Sequence, residues 1–280
     1  MLASARAECY NAEADDYREG TCVRPEGDFK KVLLTLEYDG SEFAGWQRQA
    51  RFRSIQGEVE HALERALGRE TTLWGASRTD AGVNATTMYA HFDTEQPVAN
   101  LQLLMRSLNG ILPQDIAIHE IIPVDGTAHA RFDATSRTYH YYAHTGKSPL
   151  LQATSWQCNP QLDFDLMNEA AAKLLDYEDF TSFRKLHTDV KTNNCHITEA
   201  LWQRCESIDT NVQQWVFTIT ADRFLRNMVR AIVGTLVEVG MHKITVEKFC
   251  HIIEKKDRCA AGTSMPAHAL YLHNVTYPYL

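Results

Sequence analysis

Short apolar runs alternate with amphipathic stretches from residue 31 onward. Runs rich in β-branched and aromatic residues are typical of strands, and apolar stripes spaced by three and four residues are typical of helices. Their order, with a similar rhythm before and after about residue 135, predicts an α+β protein rather than a long βαβ array. The predicted strands are 31–38, 88–93, 116–122, 138–144, 200–205, 215–220 and 270–277, and the predicted helices are 54–67, 100–110, 165–175, 225–240 and 245–256.

The chain divides into three predicted parts: an acidic leader without fixed structure at 1–29, an N-terminal α+β half at 30–135 and a C-terminal α+β half at 136–280. Residues 1–28 hold seven acidic side chains and three arginines, which accounts for half of the formal charge of −8. The negative charge does not suggest a nucleic-acid partner, but it does not exclude one, because binding depends on the local potential.

Composition narrows the class of protein further. No apolar run approaches the roughly 20 residues that a membrane-spanning helix needs, so we expect no membrane association. The seven cysteines are scattered without a CxxC pair, which is typical of reduced thiols in a cytoplasmic protein. Motifs for phosphate loops, dinucleotides and zinc proteases are missing from the sequence, and Cys195-His196 has no second pair at zinc spacing. We therefore expect neither cofactor nor metal.

The segment RTDAGVNA at 78–85 is the most informative motif. Small residues around Asp80 allow a tight turn and a close approach by a substrate, and Arg78 can orient the carboxylate. A positioned aspartate can attack an anomeric carbon, as in retaining glycosidases. The same four letters around the acid also occur in ordinary turns and helix caps, so this motif alone leaves both interpretations open.

Aromatic and basic residues supply weaker signals. Strand alternation places Tyr139 and Tyr141 on one face, where they serve either to stack on an RNA base or simply as core. Arg226 and Arg230 are four residues apart on a predicted helix, where they either bind phosphate, pair with an acid or face solvent. Further arginines lie among aromatic residues and are compatible with a phosphate-binding groove: Arg48, Arg51, Arg53 and Arg131.

Five segments, taken together and in order, resemble the tRNA pseudouridine synthase family that acts on the anticodon arm. They span nearly the whole chain after residue 30 and are supported by the ending AGTSMPAHALYLHNVTYP at 261–278. The five are EYDGSEFAGWQRQ at 37–49, RTDAGVNA at 78–85, HARFDATSRTY at 129–139, DFTSF at 179–183 and FLRNMVRAIVG at 224–234.

The resemblance implies a function for individual residues. Asp80 matches the catalytic aspartate, Tyr139 the tyrosine that contacts the target uridine, and Arg230 the arginine that pairs with the aspartate. Arg78 matches an arginine that helps to open the RNA by occupying the position of the flipped base. Asn84 departs from the family, which usually has histidine there, and we expect altered binding rather than lost activity.

The resemblance also implies an architecture and partners. Members have two α+β halves whose antiparallel sheets adjoin to form a central sheet beside a basic cleft. They act as homodimers on tRNA and need no cofactor. Three alternatives stay open at this stage: a pseudouridine synthase for another RNA, a non-catalytic RNA-binding protein, and a glycoside hydrolase with paired carboxylates.

Overall fold

The structure, a computed structural model, describes residues 31–95, 98, 100–185 and 192–280. The predicted leader at 1–29 lies outside these residues. The described strands are β1 Lys31–Tyr38, β2 Trp74–Gly75, β3 Asn84–Asp93, β4 Ile116–Val124, β5 Ser136–Thr145, β6 Trp156–Cys158, β7 Ile197–Cys205, β8 Gln214–Ala221 and β9 Leu270–Thr276. The described α-helices are α1 Ile55–Leu67, α2 Leu101–Ile111, α3 Phe164–Ala172, α4 Met228–Gly240 and α5 Val246–Lys255.

All nine of these strands belong to one mixed, mostly antiparallel sheet, in the order β4-β1-β3-β9-β5-β8-β7, with β2 beside β3 and β6 beside β5. The last strand, β9, lies between the two halves: it pairs in parallel with β3 and antiparallel with β5. The predicted α+β class and the central sheet formed by adjoining halves are confirmed. The boundary between the two halves, placed between residues 135 and 136, stays a prediction.

The burial pattern of β1 explains why this apolar run forms an inner strand. Leu34 and Leu36 join the main core, which also receives Ile55 and Val59 from α1, whereas Leu33 packs on the opposite face in a small second cluster. The strand is thus buried on both faces, as its nearly continuous apolar sequence predicts. The main core contains side chains from both halves of the chain.

Side-chain caps define the starts of several helices. Ser54, Asn100 and Thr245 are N-caps whose side-chain oxygens accept backbone N–H groups in the first turn. The prediction for the start of α4 was wrong by three residues. Asn227 has a φ of 67°, which is incompatible with a helix, so α4 begins at Met228. Within the described residues, no helix is long and apolar enough to cross a membrane.

Candidate active site

Asp80 lies between β2 and β3 on a turn that Val83 closes by donating its N–H to the Asp80 carbonyl at 3.1 Å. The preceding residue, Thr79, is held from two directions. The N–H of Trp46 donates to the Thr79 carbonyl at 3.1 Å, and the hydroxyls of Thr79 and Tyr38 lie 2.7 Å apart. Because Trp46 and Tyr38 are buried, the carboxylate is carried on a firmly positioned backbone.

Two glycines in the segment 37–49 allow this backbone to approach the turn. Gly45 has a φ of 97°, and a Cβ atom there would lie 2.6 Å from the carbonyl oxygen of Thr79. A Cβ atom on Gly40 would lie 2.0 Å from the carbonyl oxygen of Val83. Side chains at either position would displace the turn, which explains why small residues recur on both sides of this contact.

The carboxylate of Asp80 forms an ion pair with Arg226, whose Nε lies 3.1 Å from Oδ1. The side chain of Asp80 is 19% exposed and that of Arg226 is 57% exposed. Arg226 belongs to the loop between β8 and α4, so the two halves of the chain meet at this pair. The predicted shared helix face of Arg226 and Arg230 is wrong, because Arg226 precedes the helix.

Arg230, which the resemblance pairs with the aspartate, makes a different contact in the structure. Its Nε donates to the backbone carbonyl of Met265 at 2.5 Å, and the N–H of Met265 donates to the carbonyl of Arg230 at 3.1 Å. These reciprocal bonds hold the segment 261–265 against α4. The ion pair of Asp80 comes instead from Arg226, the residue directly before the left-handed backbone at Asn227.

Tyr139 on β5 faces inward beside Asp80. Its ring is buried and packs edge-to-face against Phe224, with centroids 5.2 Å apart, and its hydroxyl lies 3.0 Å from that of Ser77. Burial raises the pKa of Tyr139, and the negative charge of Asp80 raises it further, so the phenol stays neutral at physiological pH. Burial alternates along β5 as predicted, with Tyr139 and Tyr141 buried on the same face.

Three arginines lie on three different loops near this site, and the charges of two of them affect the pKa of the third. Arg78 and Arg131 are exposed, and Arg223 is half-buried. Partial burial lowers the pKa of Arg131, and the positive charges of Arg78 and Arg223 lower it further. The guanidinium of Arg131 also lies over the ring of Phe132, which is 75% exposed. We call Arg78, Arg131 and Arg223 the arginine trio.

Arg48, Arg51 and Arg53 line a groove of about 440 Å³ at the N-terminus of α1. Two of them are paired with acids of that helix: Arg48 with Glu60 at 3.3 Å, and Arg53 with Glu58 at 2.8 Å. Arg51 makes no ion pair within the described part of the chain. The groove therefore has less free positive charge than the sequence alone indicates.

Asn84 is buried directly after the Asp80 turn and connects two loops. Its Oδ1 accepts the N–H of Gly40 at 2.8 Å, and its Nδ2 donates to the carbonyl of His268 at 2.8 Å. Both ends of the amide are thus occupied by backbone groups. The expected effect of Asn84 on binding stays a prediction, but its contacts are those of a structural bridge.

Arg137 and Arg223 belong to basic clusters of the sequence that are compatible with phosphate binding, but neither was selected as a site residue. Arg137 is buried, although its guanidinium makes no ion pair in the described part of the chain. A signal was available: alternation along β5 puts Arg137 on the same inward face as Tyr139 and Tyr141, which is unusual for an arginine. Within the described part of the chain, no three His, Cys, Asp or Glu side chains are grouped so that they could hold a metal ion.

Comparison with known proteins adds independent information. A protein-family profile described as tRNA pseudouridine synthase matches residues 170–278. A Parabacteroides distasonis protein named tRNA pseudouridine synthase A is 53% identical over 249 residues, covering 89% of this chain and 96% of the relative. Proteins of the same name from Bacteroides thetaiotaomicron and Porphyromonas gingivalis are 52% and 51% identical, each over 89% of this chain and over 91% and 97% of their own lengths.

Proposed function

The chain belongs to the tRNA pseudouridine synthase family, and from this premise we propose that it isomerises uridine in the anticodon arm of tRNA with Asp80 as the essential carboxylate. Conversion of uridine to pseudouridine in tRNA follows from membership itself, and so does the assignment as an isomerase. Membership therefore removes the glycoside hydrolase and the non-catalytic RNA-binding protein from consideration. The anticodon arm and the roles of single residues are the proposal.

The observation that carries the proposal is the placement of Asp80. The reaction breaks the bond between N1 and C1′, turns the base over and joins C5 to C1′. One proton leaves C5 and one is gained at N1, so no redox step or energy source is needed. An aspartate can act on either the sugar carbon or the base, and both routes need an ionised, oriented carboxylate. Asp80 is oriented by its turn and by the guanidinium of Arg226.

The neighbouring residues have roles that suit a flipped nucleotide. We assign Tyr139 to contact with the uridine, since its ring forms an inward-facing wall beside Asp80 and stays uncharged. Arg78 is exposed next to the turn and suited to the position that the flipped base leaves. We assign Arg230 to substrate binding as well, and its hydrogen bond to the Met265 carbonyl orients the side chain.

Binding of the tRNA backbone is assigned to Arg48, Arg51, Arg53, Arg131 and Arg226. Arg51 and Arg131 have the most freedom for this, since neither is tied to an acid within the described residues. We also propose that the enzyme acts as a homodimer in the cytoplasm. The family resemblance supports the dimer. The five cysteines that the structure describes are free thiols, which is typical of a cytoplasmic protein. Light scattering of the purified protein tests the dimer by its mass.

The experiment compares the wild type with Asp80→Ala and Asp80→Asn on unmodified tRNA transcripts. Pseudouridine is mapped by carbodiimide labelling and primer extension, and tRNA affinity is measured in parallel. We expect modification in the anticodon arm by the wild type, none by either variant, and similar tRNA binding by all three. Modification by Asp80→Ala would remove Asp80 from the mechanism. Modification only outside the anticodon arm would correct the proposed target.

A further inference from the structure

The guanidinium of Arg137 connects several loops from inside the protein. The residue is 8% exposed, and its Nη1 donates to the carbonyls of Ala134 at 2.9 Å and Asp222 at 2.7 Å. Its Nη2 donates to the carbonyls of Arg131 at 2.7 Å and Ala76 at 3.3 Å. Burying a cation without a carboxylate partner is unfavourable, so the four carbonyls must supply its stabilisation.

These carbonyls belong to the three loops that carry the arginine trio. Ala76 lies two residues before Arg78, and Asp222 directly precedes Arg223. The other two carbonyls, those of Arg131 and Ala134, belong to the loop that carries Arg131. One buried side chain therefore fixes the relative positions of three segments that are far apart in sequence. Moving any of the three would break at least one bond to Arg137.

The charges of the trio are not neutralised by direct contact with a carboxylate in the described part of the chain. None of its three guanidinium groups forms an ion pair with a carboxylate within the described ranges. Asp222, which directly precedes Arg223, uses its Oδ1 to accept the N–H groups of His196 at 2.7 Å and Arg223 at 2.8 Å. Like charges held together repel one another, and a bound anion would relieve that repulsion.

We propose that Arg131 and Arg223 of the arginine trio bind a phosphate of the RNA backbone, beside the Arg78 that serves the flipped base, and that Arg137 is the positioning residue that assembles this site. Planar guanidinium groups suit phosphate because they donate two parallel hydrogen bonds. The exposed ring of Phe132, beside Arg131, offers a stacking surface for the adjacent base. This inference rests on the proposed function for its ligand class but assigns a site that Asp80 chemistry does not require.

The site is tested through the salt dependence of tRNA binding, with Arg131→Gln and Arg223→Gln. Each lost phosphate contact lowers the slope of log affinity against log salt concentration by about one. We expect that decrease in each variant. Arg204→Gln is the matched control, because Arg204 is exposed on the edge strand β7 and pairs with Trp215, at the end of β8 that is farther from Arg223. It should keep the wild-type slope.

The positioning role is tested with Arg137→Met and Arg137→Lys. Both should lower affinity and slope as far as the double variant of Arg131 and Arg223, and neither should lower them further when added to it. Lysine keeps the charge, but one ammonium with three hydrogens cannot serve four carbonyls, so a wild-type slope in Arg137→Lys would overturn the positioning role. Thermal melts identify a variant that fails to fold; should Arg137→Met fail, Arg137→Lys carries the comparison.

The outcomes separate this inference from the proposed function. Pseudouridine formation by the wild type, together with unchanged slopes in Arg131→Gln and Arg223→Gln, would overturn the phosphate site and leave the function intact. Reduced slopes without pseudouridine from the wild type in the anticodon arm would support the site and contradict the proposed target.

Discussion

Arg226 and Arg230 make different contacts although only four residues separate them, and their variants should behave differently. Arg226→Gln removes the cation from Asp80, and because that pair is partly exposed we expect a loss of about fivefold in kcat/KM, equivalent to about 1 kcal/mol. Arg230→Gln removes the bond to Met265 and should lower thermal stability more than Arg226→Gln does. Steady-state kinetics and melting curves provide both measurements.

The opposite result for these two variants would also be informative. If folded Arg230→Gln loses all turnover while Arg226→Gln keeps nearly all of it, then Arg230 replaces Arg226 at the carboxylate when RNA is bound. That result would restore the pairing that the sequence resemblance implies.

Asn84 should matter mainly for stability. Asn84→Ala leaves the N–H of Gly40 and the carbonyl of His268 without their partner, at a cost of about 1–3 kcal/mol. We expect a melting temperature lower by several degrees, with a smaller effect on kcat at saturating tRNA. Asn84→Asp is the sharper variant, because its carboxylate accepts from Gly40 but repels the carbonyl of His268. Stability of that variant equal to the wild type at neutral pH would contradict the bridging role.

At the scale of elements, the glycine contact beneath the Asp80 turn gives a direct test. Gly45→Ala places a methyl group 2.6 Å from the Thr79 carbonyl in a backbone conformation that alanine rarely adopts. The turn must move, and we expect a loss of at least about tenfold in kcat, since small displacements of a catalytic group are costly. Gly110→Ala is the matched control, because a Cβ there meets nothing within 4 Å and α2 should gain stability. Equal activity of the two variants would mean that the turn tolerates the methyl group.

The elements themselves were largely predictable from local patterns. Apolar stripes identified the helices correctly, because the residues of one stripe lie within a few positions of one another. The start of α4 was not predictable, since the left-handed backbone at Asn227 interrupts a stripe that continues through it. Strands β2 and β6 were also missed, because two or three residues are too few to show a period.

At the scale of the whole molecule, long-range placement is what the sequence left undetermined. The similar order of predicted strands and helices before and after about residue 135 indicates two halves. The position of β9 between β3 and β5 was not predictable, since strand order depends on contacts between distant residues. The motif at 78–85 predicts Asp80 as the catalytic residue, and this stays a prediction. The contacts of Arg137 were not predictable, because its four carbonyl partners come from three loops. A family resemblance supplied roles for residues but not the partner that Arg226 finds in Asp80.

The stability of the whole protein should depend on pH through two histidines of the central sheet. Burial lowers the pKa of His91 on β3 to about 4, and Nδ1 of that ring accepts the N–H of Ala130 at 3.1 Å. Burial likewise lowers the pKa of His140 on β5 to about 4, helped by the stacked ring of His273 at 3.7 Å. Both rings are neutral in the folded protein and take up protons near pH 6.5 once unfolded.

The unfolded state therefore binds more protons below pH 6.5, and the free energy of unfolding should fall as the pH is lowered from about 6.5 to about 4. Melting temperatures across this range should fall less steeply in the double variant of His91→Gln and His140→Gln than in the wild type. Carboxylates that titrate in the same range contribute to both proteins, so the difference between their curves isolates the two histidines. Parallel curves would show that neither ring is held neutral by the fold.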